Sequence, residues 1–459
     1  MIFFINLVFW AYAHTAAEWE SRTIYQLLTD RFARNNGDAS PCQDLSNYCG
    51  GGWVGIMNNL DYIQNMGFDA IWLSPVVLNT PTCYHGYCAQ EFFNLNPMFG
   101  TDQDFINLVS EMHSRDMWIM ADVVANHVGP IGVNFENVSI IQPFNQSSYY
   151  HPYCPIDWNN DWSVLNCWLG YLPDLNQTVP YTRSQLLNWI SWLVQSYNID
   201  GLRIDTCLEV PTDFWSEFSK SAAVYTVCEV YDGSIVRNAY YQSFVDGTLN
   251  YPMYYLMRDL FMGSYSMFEA RSFMDQSKTA FKNMGFEGNF VDNHDNPRFL
   301  YNFPKINRFQ NALAWSLTWP GIPIVYYGGE QAFNGGYDPN NREPLWPYLN
   351  NTNSLMYTFM KAVVGYRKSS QIWNFDWVER YAADNFYCFS RGLFMMAFSN
   401  TDNDLFYNVG YHPYQVGDVV CNVLFAGDCV TVTATGVPVY LDNGEVKLYQ
   451  LKSSLVEEE

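Results

Sequence analysis

From about Ser21 to Ser370 the chain alternates strand-like apolar runs with helical patterns, and the strand-like runs number eight. Parallel strands need long crossovers, so such a βα alternation folds as a parallel sheet with helices packed outside it. Eight is the strand count that closes that sheet into a barrel filled by its own side chains. The runs are Thr23–Leu28, Ala70–Pro75, Trp118–Val124, Leu202–Asp205, Val224–Val230, Gly247–Leu249, Gly288–Val291 and Ile322–Tyr327. The sixth has the poorest strand composition, because Val245-Asp246-Gly247 carries a weak β signal. Helical periodicity is clearest over Asp102–Arg115, Tyr181–Tyr197, Pro211–Ala222 and Asn307–Thr318.

Two stretches break the alternation. Between the third strand and its helix, about His127 to Asn176, the chain is dense in Asn, Pro, Tyr and Trp and shows no helical period. It is too long for an ordinary loop and predicts a small inserted domain beside the barrel mouth. After about Trp377, short runs such as Phe386–Ser390, Leu393–Ser399 and Val430–Thr435 are punctuated by Gly, Asn and Asp, the pattern of an antiparallel β domain. A chain of 459 residues exceeds a single hydrophobic core. The expected fold is therefore α/β: a (β/α)8 TIM barrel, a small domain inserted after the third strand, and a C-terminal antiparallel β-sandwich. The expected division is 1–17 leader, 18–126 and 177–376 barrel, 127–176 inserted domain and 377–459 β domain.

With 46 acidic and 23 basic side chains the formal charge is −23, a surface that repels nucleic acid and anionic membranes. Residues Met1–Trp10 are almost wholly apolar, and Ala11-Tyr12-Ala13 has the small-residue spacing a signal peptidase prefers. The run is short for a membrane anchor, and no later stretch of about 18 uninterrupted apolar residues follows. A mature chain without an anchor, secreted or held in the lumen of a digestive vesicle, is expected, and as a monomer. Eleven cysteines suit an oxidising compartment. Cys42 with Cys49, Cys83 with Cys88, Cys154 with Cys167 and Cys421 with Cys429 each close a short loop and are expected to pair. Cys207, Cys228 and Cys388 remain; the first two, beside Asp205 and Glu229, could be bonded if their strands are neighbours or be small buried hydrophobes, and the second reading is favoured. Sequons at Asn137, Asn145, Asn176 and Asn350 fit secretion.

Three carboxylates end strand-like runs: Asp205 in GLRIDT, Glu229 in VCEVYDG and Asp295 in FVDNHDNPRF. An acid at a strand's carboxyl end points into the barrel mouth. Three such acids supply a nucleophile, a proton donor and a charge stabiliser, the equipment for cleaving a glycosidic bond through an oxocarbenium-like state. Asp205 suits the nucleophile, because Arg203 two residues earlier on the same strand face would keep it ionised. Glu229 suits the general acid, since apolar Val227 and Cys228 and the nearby Asp205 anion raise its pKa. Asp295 would steady the developing cation. His85, His127 and His294 lie on loops after strands, where neutral imidazoles can donate to sugar hydroxyls, and Tyr87 can stack on a pyranose. No HExxH or close His pair exists, which argues against zinc. Side-chain oxygens of Asn126 and Asp174, joined by backbone carbonyls, would make a hard-cation site tying the insertion to the barrel.

DVVANH (122–127), GLRIDT (201–206), CEVYDG (228–233) and FVDNHDNPRF (290–299) resemble the four ordered regions of the α-amylase family, glycoside hydrolase family 13. IYQLLTDRFAR, YCGGGW, YHGY, LPDL and YYGGEQAFNGGYDPNNRE are similar to its secreted fungal-type members. The resemblance implies Asp205 as nucleophile, Glu229 as acid/base and Asp295 as transition-state stabiliser. It implies that His85, Tyr87, His127, Arg203, His294, Asp338 and Arg342 hold the cleaved glucose. Asn126, Asp174 and the carbonyls of Leu165 and Glu209 would bind a structural calcium ion. The activity implied is endo-hydrolysis, with retention, of internal α-1,4 bonds of starch, glycogen or maltooligosaccharides. Departures cluster around the site: Leu208-Glu209 replaces Lys-His, Cys88 replaces a stacking Trp after Tyr87, and Cys228 replaces Gly before the acid.

Overall fold

The computed structural model describes residues 14–263 and 265–453, so the expected leader lies, up to residue 13, outside the described residues. Each of the eight expected runs coincides with or overlaps a barrel strand: β1 (Ile24–Leu27), β2 (Ala70–Leu73), β3 (Trp118–Val123), β4 (Gly201–Ile204), β5 (Tyr225–Cys228), β6 (Gly247–Thr248), β7 (Gly288–Asn289) and β8 (Ile322–Tyr326). All pair in parallel, in the order β6-β5-β4-β3-β2-β1-β8-β7. The ring closes between the two shortest strands through a parallel bridge from Leu249 to Gly288, reinforced by Asn250 N–H donating to the Gly288 carbonyl at 2.8 Å.

The weak sixth run is thus a two-residue strand, and side chains do what its ladder cannot. The Glu287 carboxylate accepts from the Thr248 amide (3.3 Å) and hydroxyl, and Asp246 accepts from the Thr226 amide at 2.9 Å. A Cβ on Gly247 would stand 2.0 Å from the Phe286 carbonyl oxygen, so only glycine lets β6 approach this closely.

Inside and outside alternate with period two along the strands. Ile24, Ala70, Trp72, Trp118, Met120, Tyr225, Val227, Ile322 and Ile324 form one buried cluster inside the barrel. Their neighbours Tyr25, Ile71, Leu73, Ile119, Ala121, Leu202 and Ile204 join the larger core beneath the helices. Trp19, on a short helix (Ala16–Trp19) capped by Thr15, packs among the inward residues at the amino-terminal end, 5.1 Å edge-on to Trp118. The polar inward side chains are therefore left to the carboxyl end.

The expected helices form within about a residue of their ranges, as Asp102–Ser114, Pro180–Tyr197, Thr212–Ala222 and Ile306–Thr318. After β2 comes a hairpin, Val77–Asn79 with Ala89–Leu95, whose turn holds the Cys83–Cys88 disulfide. The stretch after β3 is largely irregular, but it contains a six-residue helix, Asp161–Asn166, capped by Asn160. Under two turns, that helix is too short to leave a period in the sequence.

Beyond Trp377 a six-stranded antiparallel sheet faces a two-stranded one (Leu405–Val409 with Val437–Leu441). Phe386, Cys388, Met395 and Ala397 fill the space between them. The alternate residues Tyr387, Phe389 and Phe398 pack on Trp315 of the helix Ile306–Thr318, at 5.4, 5.7 and 5.0 Å between rings.

The four expected disulfides are present. Reading Cys207 and Cys228 as separate buried hydrophobes is corrected: they form a fifth disulfide. Ile204 and Cys228 are register partners on adjacent strands, which brings the two cysteine Cα atoms to 6.0 Å. Cys388 alone stays free, buried in the sandwich core.

Candidate active site

Asp205 directly follows β4, Glu229 directly follows β5, and Asp295 lies on the loop after β7. All three line one cavity of ≈ 680 Å³ at the carboxyl end of the barrel. His85, Tyr87, His127, His294, Asp338 and Arg342 line the same cavity. Arg203 lies beneath it as a buried bridge. Its guanidinium is 2.7 Å from Asp205, 2.9 Å from Glu229 and 3.0 Å from Asp122.

One cation therefore serves three buried carboxylates, and they cannot all stay ionised at ordinary cost. Burial drives the Glu229 carboxyl well above the usual range; Arg203 opposes this, while the charges of Asp205 and Asp295 add to it. Burial likewise pushes Asp122 up to about 7 against the pull of Arg203. Glu229 accepts from the Thr206 amide at 3.1 Å and from the Tyr251 hydroxyl at 3.2 Å. Asp205 makes a short contact to Arg203 and faces the cavity. Asp295 is the most open of the three, its side chain 34% exposed, with His294 Nε2 at 3.4 Å and Arg342 at 3.6 Å.

The imidazoles are kept neutral by their surroundings. Burial lowers His85 to about 3, lowers His127, and takes His294 well below its usual value, helped there by Arg342 and Arg203. Gln26 donates to His294 Nδ1 at 2.9 Å, which leaves the ring proton on Nε2, the nitrogen nearest Asp295. Tyr87 stacks on His294 at 5.1 Å and 3°, and His85 stacks on Tyr87 at 5.6 Å. His127 Nε2 donates to the Tyr87 carbonyl at 3.2 Å, so it also fixes that loop. Arg342 pairs with Asp338 at 3.1 Å and donates to the His294 carbonyl at 3.0 Å. Cys83, His85 and Cys88 stand close enough to suggest a metal centre, but both sulfurs are spent in the disulfide.

Asn126 and Asp174 meet across the junction between the barrel and the inserted stretch, where His127 and Asp174 form a bridge. Each keeps one buried side-chain oxygen, Oδ1, with no hydrogen-bond donor. An unsatisfied buried acceptor costs about 1–3 kcal/mol, and oxygens left without a donor suit a hard cation. Burial pushes Asp174 up to about 7, even though His151 lies 2.5 Å from its other oxygen. Glu209 is pushed up to about 8, by burial first and then by the charge of Asp205, with Asp174 contributing. Leu165 lies on the helix Asp161–Asn166, which packs against the turn Cys207–Glu209. Oxygen donors of this kind suit calcium better than a soft metal.

Several contributors were not singled out in the sequence. Gln26 and Trp72 sit at inward positions of β1 and β2; Asp122 accepts from Trp72 (3.0 Å) and from the Tyr87 hydroxyl (2.7 Å). A polar residue at an inward position of an apolar strand was the available signal. Trp158, Leu169, Leu172 and Tyr231 also line the cavity, and nothing local in their sequence marks them.

A family model described as "Alpha amylase, catalytic domain" matches residues 26–353. "Alpha-amylase 1" of Lipomyces kononenkoae is 42% identical over 367 residues, 76% of this chain and 58% of that protein. "Alpha-amylase 2" of Schizosaccharomyces pombe is 40% identical over 79% of this chain and 65% of its own length, so the chain spans roughly three fifths of these two relatives. "Alpha-amylase 1" of Schwanniomyces occidentalis is 36% identical over 447 residues, covering 90% of this chain and 87% of that protein. Among solved structures, an α-amylase from Malbranchea cinnamomea superposes with a TM-score of 0.93 at 35% identity, covering 97% of this chain and 99% of that one.

Proposed function

Because the chain belongs to the α-amylase family, we propose that it hydrolyses internal α-1,4-glucosidic bonds of starch, glycogen and maltooligosaccharides with retention of configuration. The observation that carries this reading is the shared cavity of Asp205, Glu229 and Asp295, with one guanidinium beneath the first two. Glu229, held protonated by its surroundings, gives its proton to the glycosidic oxygen as that bond breaks. Asp205 attacks the anomeric carbon and forms a glycosyl ester. Glu229, now a carboxylate, takes a proton from water as the water attacks the anomeric carbon and breaks its bond to the Asp205 oxygen, which frees Asp205 and yields the α-anomer. Asp295 stabilises the oxocarbenium character of both transition states. His85, Tyr87, His127, His294, Asp338 and Arg342 hold the reacting glucose, and Arg203 orients Asp205 through a 2.7 Å contact.

Endo action is supported by the shape of the mouth. A second cavity of ≈ 300 Å³, lined by Thr80, Thr82, Pro130 and Pro339, shares His85 and Asp338 with the first, so a glucan can run on past the reacting sugar. Asn126, Asp174 and the carbonyls of Leu165 and Glu209 would hold calcium, whose part here is structural: it ties the inserted stretch to the barrel. The same reading divides the chain at the boundaries 126/127, 176/177 and 376/377 and sends it outside the cell or into a digestive vesicle. Five disulfides suit such a compartment, and no helix among the described residues is long and apolar enough to cross a membrane.

Proton NMR of maltoheptaose cleavage tests the proposal. Mixed mid-length products released as the α-anomer are expected, and Asp205→Asn should abolish them while glucan binding persists. Fresh β-anomer, or unchanged turnover in that variant, would overturn it.

A further inference from the structure

The turn that carries the proposed nucleophile is not built to hold itself. Thr206, between Asp205 and Cys207, sits in the left-handed region at φ 49° and ψ 50°, a strained conformation for a β-branched residue. Its buried hydroxyl has no hydrogen-bond partner, so nothing in the side chain offsets that strain. Besides the Asp205 amide donating to the Val123 carbonyl and Trp215 Nε1 donating to the Cys207 carbonyl, both at 3.0 Å, the turn is fixed from β5. The Cys207 amide donates to the Glu229 carbonyl at 3.0 Å, the Thr206 amide donates to the Glu229 carboxylate at 3.1 Å, and Cys207 is covalently bonded to Cys228, the residue before Glu229. Both cysteines are fully buried.

We infer that the Cys207–Cys228 disulfide is a positioning clamp, locking the strand end that bears Asp205 to the strand end that bears Glu229. The inference rests on the roles proposed above for those two acids. A double displacement needs its two carboxyl groups about 5–5.5 Å apart, and misplacement by about 1 Å can cost roughly 100-fold in rate. The clamp sets that separation directly. Most groups proposed to hold the sugar, among them His85, Tyr87, His294, Asp338 and Arg342, stand on loops after β2, β7 and β8 and are not tethered by it. Its loss should therefore appear in kcat and not in KM, which separates positioning from a merely structural role.

The test compares wild type, C207A/C228A, the volume-keeping C207V/C228A, and C421A/C429A, which removes a disulfide in the C-terminal sheet. Circular dichroism checks each fold, and maltoheptaose kinetics read the outcome. We expect kcat to fall 10- to 100-fold in both variants lacking the clamp, with KM within twofold of wild type, and kcat to be kept in C421A/C429A. Wild-type kcat in either folded variant without the clamp would overturn the inference, as would a change confined to KM or an equal loss in C421A/C429A. A wild-type chain that cleaves no glucan would instead sink the underlying reading of Asp205 and Glu229.

Discussion

Arg203 sets the electrostatics of the mouth, because its one positive charge is divided among Asp122, Asp205 and Glu229. The arrangement keeps a proton available at Glu229. The sign of the pH dependence follows. An acid that must donate a proton works below its folded pKa, and that of Glu229 is raised by burial. Activity on glucan should therefore persist beyond the ordinary carboxylate range and fall on an alkaline limb; a kcat/KM profile that declines already near pH 5 would contradict this. Glu229→Gln should lower kcat/KM for maltooligosaccharides by roughly 10³-fold. Its first step should survive far better on a glycosyl fluoride, whose leaving group needs no protonation. Equal losses on both substrates would remove Glu229 as the acid.

At the level of elements, barrel closure depends on two strands of two residues each, so individual side chains matter more there than in β1 to β5. Gly247→Ala places a methyl group against the Phe286 carbonyl, at 2.0 Å without relaxation. Overpacking of this kind costs about 1–3 kcal/mol or more, and a lowered denaturation midpoint should report it. Glu287, the residue before β7, accepts from Thr248 of β6 and is pushed up to about 8 by burial from an ordinary 4.5. A carboxyl whose folded pKa is raised contributes stability that is full below its unfolded pKa and is lost as pH rises through the folded one. The melting temperature should therefore decline between about pH 5 and pH 8, and Glu287→Gln should flatten that decline. An unchanged slope in the variant would show that other groups govern it.

Across the whole molecule, two junctions join the barrel to its neighbours, the C-terminal sheets and the stretch after β3. One is aromatic: Trp315 and Trp319, stacked at 4.6 Å, carry the six-stranded sheet on the barrel helix. Trp315→Ala should cost about 3–5 kcal/mol and favour separate melting of barrel and sheet in calorimetry; one unshifted transition would mean the junction bears no load. The other joins the inserted stretch to the barrel through Asn126 and Asp174. A cation bound there stabilises by mass action, by about 4 kcal/mol at a thousandfold excess over its Kd. EDTA should therefore lower the melting temperature by several degrees, calcium should restore it, and Asp174→Asn should remove most of the EDTA effect. Identical melting with and without EDTA would rule out a calcium contribution.

The amino-acid sequence alone determined the eight strand positions, the main helices, the β character of the C-terminal region and the strand ends occupied by Asp205 and Glu229; it put Asp295 at a strand end too, whereas the structure sets it on the loop beyond the two-residue β7. Those are local properties: burial on one face of an element writes a period of 2 or 3.6 into adjacent residues, and an acid ending an apolar run is visible without knowing its neighbours. Only the tertiary structure decided how residues far apart in sequence meet. The bond between Cys207 and Cys228, the partnerless side-chain oxygens of Asn126 and Asp174 at the junction, and the contacts of Gln26 and Asp122 with the mouth all depend on strand order and register. Register is set by the packing of the whole barrel, and a pairwise distance across it has no local signature.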